Sequence, residues 1–178
     1  FYFLEMNTRL QVEHPVTELT NGLDLVELQI AVAQGQQVDL SVDESPGGHA
    51  IEARLYAEDA AYTPQSGTLV SFDIPADTQF DALPRAGVRV DAGFTTGDSV
   101  GTHYDAMLAK VIAWAPSRPE AIRMLTSALR RARLHGVVTN RDQLVEILQD
   151  PTFASAQMTT TWLESREAST PEVDRLAV

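Results

Sequence analysis

The sequence predicts an α+β protein, because some segments follow the two-residue period of a strand and others the 3.6-residue period of a helix. Residues 49–56 alternate small or apolar side chains with larger polar ones, which predicts a strand. Residues 117–136 begin with a serine cap, carry an apolar stripe and end at a glycine, which predicts a helix. The 178 residues suffice for one domain, or for one domain with a piece of another.

The remaining elements follow from shorter patterns. Short apolar or alternating runs predict strands over residues 1–9, 69–74, 88–92 and 107–114. Cap residues and apolar spacing predict helices from Asp24 to Gly35, from Asn140 through Leu148, and over residues 161–166. Residues 36–48 are rich in turn-forming types and predict a boundary, and the polar residues after 166 predict a linker or tail.

Composition excludes several classes of function. With 44% hydrophobic and 21% charged residues the chain resembles an ordinary globular protein. A net charge of −12 argues against a nucleic-acid partner, and no apolar run approaches the roughly 20 residues of a membrane helix. The chain has no cysteine, which excludes disulfides and thiol chemistry and fits a cytoplasmic protein. It opens on Phe-Tyr-Phe-Leu rather than Met, so we expect a fragment of a longer polypeptide.

A row of polar side chains near the N-terminus carries the strongest chemical signal. They occur at every second position, at Glu5, Asn7, Arg9, Gln11 and Glu13. Carboxylate and amide oxygens suit Mg²⁺ or Mn²⁺, a guanidinium suits a small oxyanion, and a carboxylate can act as a base. The same alternation also fits an exposed edge strand with a solvated polar face.

Geometry limits what this row can do as one straight strand. Eight extended residues span roughly 26 Å, which exceeds the size of a single metal and anion site. The chain must therefore bend, and the following Pro15 disfavours a continued regular strand. We predict that residues 9–13 form an irregular loop.

Three stretches of the sequence resemble the biotin carboxylase family of the ATP-grasp superfamily. Residues 3–18 (FLEMNTRLQVEHPVTE) resemble its signature. Residues 48–59 (GHAIEARLYAED) and 103–112 (HYDAMLAKVI) resemble segments of its C-terminal domain. The resemblance extends over nearly all of residues 1–165, and among such enzymes the α subunit of a biotin-dependent acyl-CoA carboxylase is most similar.

The resemblance implies a fold and a domain arrangement. It implies the C-terminal part of an ATP-grasp biotin carboxylase, with a mixed, largely antiparallel sheet and flanking helices. Residues 1–40 would close the ATP-grasp core, residues 47–165 would form the carboxylase C-terminal domain, and residues 166–178 would be a linker or tail.

The resemblance also implies a reaction and a set of binding residues. Such enzymes use ATP and bicarbonate to form carboxyphosphate and then carboxylate N1 of biotin, which is attached to another domain or subunit. By position, Glu5 and Asn7 resemble the ligands of Mg²⁺ or Mn²⁺. Arg9, Gln11 and the backbone of Val12 resemble the bicarbonate pocket, with Arg9 also among the catalytic residues.

Two further positions match catalytic groups of the family. Glu13 resembles the base that deprotonates bicarbonate, and Arg54 resembles the arginine that binds biotin and stabilises its enolate. The glycine-rich loop and the lysines that bind the nucleotide lie upstream in the family and have no counterpart here. We therefore predict that the chain alone is inactive. Lys110, the only lysine, lies in an apolar run and is interpreted as structural.

The implied partners are the upstream domains of the same polypeptide, a biotin-carrier domain, a carboxyltransferase subunit and a second copy of the parent enzyme. No nucleic acid or membrane is expected. Two alternatives remain. The chain could serve a carboxylase of another acceptor, such as pyruvate or urea. It could also be a non-catalytic module for dimerisation or subunit docking that has kept the motif unused.

Overall fold

The computed structural model describes residues 2–38 and 47–166. Its helices are α1 (His14–Asn21), α2 (Leu25–Ala33), α3 (Arg118–Arg131), α4 (Arg141–Gln149) and α5 (Pro151–Ala154). Its strands are β1 (His49–Tyr56), β2 (Gly67–Thr68), β3 (Ser71–Asp73), β4 (Thr78–Gln79), β5 (Gly87–Ala92), β6 (Ser99–Val100), β7 (Met107–Ala115) and β8 (Arg133–His135). Most of the proposed linker and tail therefore lies outside the described residues.

A four-stranded sheet in the order β1-β7-β5-β4 forms the centre of the protein. β7 pairs antiparallel with both β1 and β5, and only the short β4 joins in parallel. Two small antiparallel pairs, β2 with β6 and β3 with β8, lie outside this sheet. The predicted α+β class with a mixed, largely antiparallel sheet is confirmed.

The two faces of this sheet differ in chemistry because side chains alternate along each strand. Ile51, Ala53 and Leu55 of β1 share one face with Val111 of β7, and the amphipathic helix α3 covers that face. The opposite face carries charged side chains, and α1 packs over it. The hydrophobic core therefore lies on the α3 side, whereas the α1 side is free to hold a polar site.

The predicted strand over residues 1–9 is wrong for the part that the structure describes. Residues 2–8 have no regular secondary structure, and Tyr2, Phe3 and Leu4 are exposed. A strand needs a neighbour to receive its backbone hydrogen bonds, and no described residue pairs with this segment. The predicted irregular loop over residues 9–13 is confirmed.

His14 and Pro15 begin a helix, which the sequence interpretation missed. Pro15 lies in the first turn of α1, where its lack of an N–H removes no helical hydrogen bond. Gly22 ends the helix with a left-handed backbone, at φ 67°. The next helix, α2, was predicted correctly: the Asp24 carboxylate accepts a hydrogen bond from the Glu27 backbone at 2.8 Å.

The helices of the C-terminal half differ from prediction at three places. α3 ends at Arg131 instead of reaching Gly136, because Leu134 pairs with Phe72 of β3 and is buried there. The predicted helix over residues 161–166 is a series of turns, and the short α5, which was not predicted, precedes it.

Within residues 2–38 and 47–166, no helix is long and apolar enough to cross a membrane.

Candidate functional site

The loop of residues 9–13 is held at its C-terminal end by the first turn of α1. The backbone N–H of His14 donates to the Gln11 carbonyl at 3.2 Å, and that of Val16 donates to the Glu13 carbonyl at 3.1 Å. These bonds turn the chain sharply before the helix begins. The loop consequently lies against the charged face of the sheet.

Lys110 of β7 anchors this loop to the central sheet. Its ammonium group donates to the Val12 carbonyl at 3.2 Å and lies 3.1 Å from Nε2 of His14. It also lies 3.4 Å from Oδ2 of Asp91 on the neighbouring strand. A single cation thus connects the loop, the first turn of α1 and the centre of the sheet.

A buried network of charges continues from Asp91. The Arg89 guanidinium donates two hydrogen bonds to the Asp91 carboxylate and one to Glu18 of α1, each at 2.8 Å. Glu18 also accepts from Nδ1 of His14 at 2.8 Å, an arrangement that leaves Nε2 of the histidine free to accept from Lys110. Each buried charge therefore has an opposite charge in contact, which burial requires.

Burial and pairing act in opposite directions on the Asp91 carboxyl. Burial raises its pKa, but the hydrogen bonds and charge of Arg89, together with the charge of Lys110, hold the pKa below the usual value. Asp91 therefore stays ionised at neutral pH. It acts as the fixed counter-charge for Arg89 and Lys110.

Arg54 of β1 connects this face to the loop. Its Nη2 donates to Oε2 of Glu13 at 2.9 Å, across 41 residues of sequence. Its side chain is 42% exposed, so the guanidinium is open to solvent on one side. The Asn140 side chain holds the backbone at this point by donating to the Arg54 carbonyl at 3.2 Å and accepting from the Tyr56 N–H at 2.9 Å.

Glu52 lies beside Arg54 on the same face and differs from every acid described above. Its carboxylate is 3.7 Å from Nε of Arg54, yet neither oxygen has a hydrogen-bond partner among the described residues. The side chain is only 4% exposed. Burial raises the pKa of Glu52 to about 7, although the charges of Lys110 and Arg54 act to lower it.

A groove of about 600 Å³ opens next to the loop. Three of the predicted site residues, Arg9, Gln11 and Glu13, line it, and the other side is apolar and comes largely from α2. Among the described residues, the Arg9 and Gln11 side chains form only local hydrogen bonds, to the Leu10 carbonyl at 3.4 Å and the Arg9 carbonyl at 3.2 Å. Their polar groups therefore remain available to a ligand.

The predicted metal ligands Glu5 and Asn7 lie outside this groove, in the extended exposed segment before the loop. Within the described residues neither side chain forms a hydrogen bond, and no group of three or more His, Cys, Asp or Glu could hold a metal ion. Two oxygen donors at alternate positions do fit Mg²⁺, because this ion commonly takes few protein ligands and completes its shell with phosphates and water.

The sequence interpretation missed two residues of the site. Lys110 was interpreted only as structural, although a single lysine inside an apolar strand indicates a charged partner on the facing element. Glu52 and Arg54 are two residues apart on β1 and therefore lie on the same face of the sheet, and this spacing was the available signal in the sequence. Nothing in the sequence indicated which residues would face them from α1 and the loop.

Comparison with known proteins agrees with this architecture. Residues 52–165 match the model of the biotin carboxylase C-terminal domain, and residues 1–41 match that of the carbamoyl-phosphate synthase L chain, ATP binding domain. The chain is 42% identical over 166 residues to the methylcrotonoyl-CoA carboxylase subunit alpha of Rattus norvegicus, covering 92% of this chain and 22% of that protein. It is 43% identical over 166 residues to biotin carboxylase 2 of Bacillus subtilis, covering 92% of this chain and 36% of that protein.

A solved structure matches closely as well. The biotin carboxylase domain of the Hydrogenobacter thermophilus 2-oxoglutarate carboxylase, a dimer in complex with MgADP, ADP and bicarbonate, superposes with a TM-score of 0.82 at 37% identity. The match covers 92% of this chain and 35% of that one. The present chain thus spans well under half the length of these relatives. Since the domain model covers most of the chain and the described fold agrees with it, the chain belongs to the biotin carboxylase family, and residues 52–165 match that family's C-terminal domain.

Proposed function

We propose that this chain supplies the bicarbonate and biotin end of the active site in an ATP-dependent biotin carboxylase. One observation carries the proposal: the contact between Glu13 and Arg54, at 2.9 Å, joins the two motifs that the family resemblance singles out. The loop that bears Glu13 and the strand that bears Arg54 are separately anchored, by Lys110 and by Asn140. A preorganised pair of this kind suits a reaction in which charge develops.

In this proposal the groove binds bicarbonate. Arg9 and Gln11 hold the anion through charge-assisted and amide hydrogen bonds, with the backbone N–H of Val12 as a further donor. Glu13 accepts the bicarbonate proton, which makes the remaining oxygens better nucleophiles towards the terminal phosphate of ATP. Arg54 then places its positive charge beside the anionic oxygen that develops on the ureido ring of biotin.

Glu5 and Asn7 would hold Mg²⁺ or Mn²⁺ near the nucleotide. The metal ion would offset charge on the phosphates as they transfer. Both side chains are uncommitted in the described structure, and their oxygen donors suit a hard cation.

We further propose that the first half-reaction served here belongs to an acyl-CoA carboxylase, with residues 1–40 completing an ATP-grasp core and residues 47–165 forming the C-terminal domain. The identity to a methylcrotonoyl-CoA carboxylase α subunit supports this acceptor class. The partners would be the upstream domains, a biotin-carrier domain, a carboxyltransferase subunit and a second copy of the enzyme.

The test uses the longer enzyme that carries this chain behind the upstream domains. Bicarbonate-dependent ATP hydrolysis is measured with and without free biotin for wild type, Arg54→Ala and the exposed control Arg123→Ala. Biotin should stimulate the wild type and the control, and Arg54→Ala should lose the stimulation while keeping ATP hydrolysis. ATP consumption that never responds to biotin would assign the site to another acceptor.

The chain of 178 residues by itself should not hydrolyse ATP, since it lacks the nucleotide-binding loop and lysines of the family. Purified chain is compared with a buffer blank at saturating ATP, Mg²⁺ and bicarbonate. Bicarbonate-dependent phosphate release above the blank would contradict this part of the proposal.

A further inference from the structure

Glu52 is the one described carboxylate of the charged face without a hydrogen bond. Its side chain is 4% exposed, and both oxygens lack a hydrogen-bond partner in the described part of the chain. A buried acid without such a partner is unfavourable for folding, because it gives up its hydrogen bonds to water and gains none from the protein in return. A purely structural role therefore gives a poor account of this side chain.

The position of Glu52 relative to Arg54 suggests what it does. The guanidinium is flanked by two carboxylates, with Glu13 at 2.9 Å from Nη2 and Glu52 at 3.7 Å from Nε. Glu13 is more than half exposed and lies on a loop, whereas Glu52 is buried on a strand of the central sheet. Glu13 can therefore give up its contact with Arg54 to a ligand, whereas Glu52 cannot move away from Arg54.

We propose that Glu52 is a positioning residue that holds the Arg54 guanidinium from its Nε side when Glu13 releases the opposite side. The inference rests on the proposed function, in which Glu13 takes up a proton and Arg54 turns towards an anionic oxygen. At that moment Glu13 loses its charge and its hold on Arg54 weakens. Glu52 then keeps the long, partly exposed arginine side chain from regaining its rotamer freedom.

The two acids are coupled through their charges. Glu52 faces four charged groups, and the like charge of Glu13 raises its pKa, as does that of Asp91. The opposite charges of Lys110 and Arg54 lower the same pKa. Further charged or titratable groups of this face are His14, Glu18 and Arg89. When Glu13 is protonated, one repulsive charge disappears and Glu52 ionises more readily, so the second anchor strengthens as the first weakens.

The experiment uses the longer enzyme with wild type, Glu52→Gln, Glu52→Asp and Arg54→Ala. The control is Glu120→Gln, which changes a partly exposed acid on the helix that covers the opposite face and keeps an acceptor for the Ser117 hydroxyl. For each variant, kcat and KM are measured for biotin-dependent turnover, and ATP hydrolysis is measured without biotin. Glu52→Gln should lower biotin-dependent kcat by about tenfold to a hundredfold, the effect of a misplaced group, and should lower biotin-independent hydrolysis much less, since that activity does not require Arg54.

The pH profile separates positioning from mere packing. Wild-type biotin-dependent turnover should gain from ionisation of Glu52 as pH rises through about 7. Glu52→Gln, which cannot ionise, should lose that part of the profile, and Glu52→Asp should retain it at a reduced rate. A Glu52→Gln enzyme with wild-type kcat and an unchanged profile overturns the inference, as does an equal loss in both activities.

A direct measurement guards against a variant that folds poorly. The Nε–H resonance of Arg54 is followed by NMR in the 178-residue chain, for wild type, Glu13→Gln and Glu52→Gln. Glu13→Gln should leave the rate of Nε–H exchange with water close to that of the wild type, and Glu52→Gln should accelerate it several-fold. Exchange that responds only to Glu13→Gln overturns the inference. Loss of biotin stimulation in Glu52→Gln but not in Arg54→Ala would instead refute the proposed function.

Discussion

Arg89→Met should destabilise the protein more than any surface substitution, because Arg89 is the shared partner of two buried acids. The arginine side chain is 6% exposed, and Glu18 and Asp91 are buried to a similar degree. Methionine fills much of the same space but leaves both carboxylates without their principal counter-charge. Removing one partner of a buried ion pair costs about 3–5 kcal/mol, since the remaining charge stays desolvated.

The expected loss translates into a clear thermal shift. For a domain of this size each 1 kcal/mol lowers the melting temperature by about 2–4 °C, so Arg89→Met should melt about 6–20 °C below wild type. Urea unfolding followed by circular dichroism gives the free energy directly. The matched control is Arg123→Met, whose arginine is 68% exposed and forms a long ion pair of 3.9 Å with Glu120. It should change stability by less than about 0.5 kcal/mol.

A double-mutant cycle tests the cause of the loss. Adding Glu18→Gln to Arg89→Met should cost less than the sum of the two single changes, because the second substitution removes a charge that the first left unpaired. If Arg89→Met costs no more than Arg123→Met, or if the two changes are additive, the buried network does not contribute as argued.

Three more predictions concern stability and are tested by denaturant unfolding. The lowered pKa of Asp91 stabilises the folded protein at pH values above 3.8, the ordinary pKa of an aspartate, and this stabilisation is lost as pH falls through the folded-state pKa. Asp91→Asn should therefore make the free energy of unfolding decline less steeply in acid. An equally steep decline would contradict this prediction. Leu125→Ala should cost about 2–5 kcal/mol, because Leu125 lies on the buried face of α3 and is fully buried. A loss below about 1 kcal/mol would show that the surrounding residues collapse into the cavity. Gly136→Ala should cost more than Gly97→Ala. Both glycines have positive φ, 109° and 98°, but of these two positions only Gly136 would place the new Cβ against a backbone atom, the Thr68 carbonyl oxygen. Equal losses of stability would mean that the strained backbone conformation alone, and not the contact with Thr68, sets the cost.

Local patterns predicted the elements whose cause is local. The alternation over residues 49–56 matches β1, since one face of that strand is buried under α3 and the other is polar. The cap at Asp24 begins α2 as expected, because the hydrogen bond to Glu27 involves only neighbouring residues. The irregular loop at residues 9–13 followed from chain length and a proline, which again need no distant partner.

Elements that depend on distant partners were predicted poorly. The segment before Thr8 has the composition of a strand but lacks a neighbouring strand among the described residues. Leu134 continues the apolar stripe of α3 in sequence, yet pairing with Phe72 draws it into β8. In the first case the absence of a backbone hydrogen-bond partner among the described residues, and in the second the presence of one far along the chain, overrode the local preference.

The sequence by itself determined the α+β class and the family, and it supplied most of the candidate residues of the site. Only the tertiary structure decided which charges meet. Arg54 and Lys110 are opposite each other on paired strands, and the loop then lies across them, so that Glu13 reaches one and the Val12 carbonyl the other. The sequence pattern fixes the face on which a side chain lies, but register and packing fix its neighbours. For this reason the motif could be recognised from the sequence, whereas the buried residues that pack against it, including Glu52, could not.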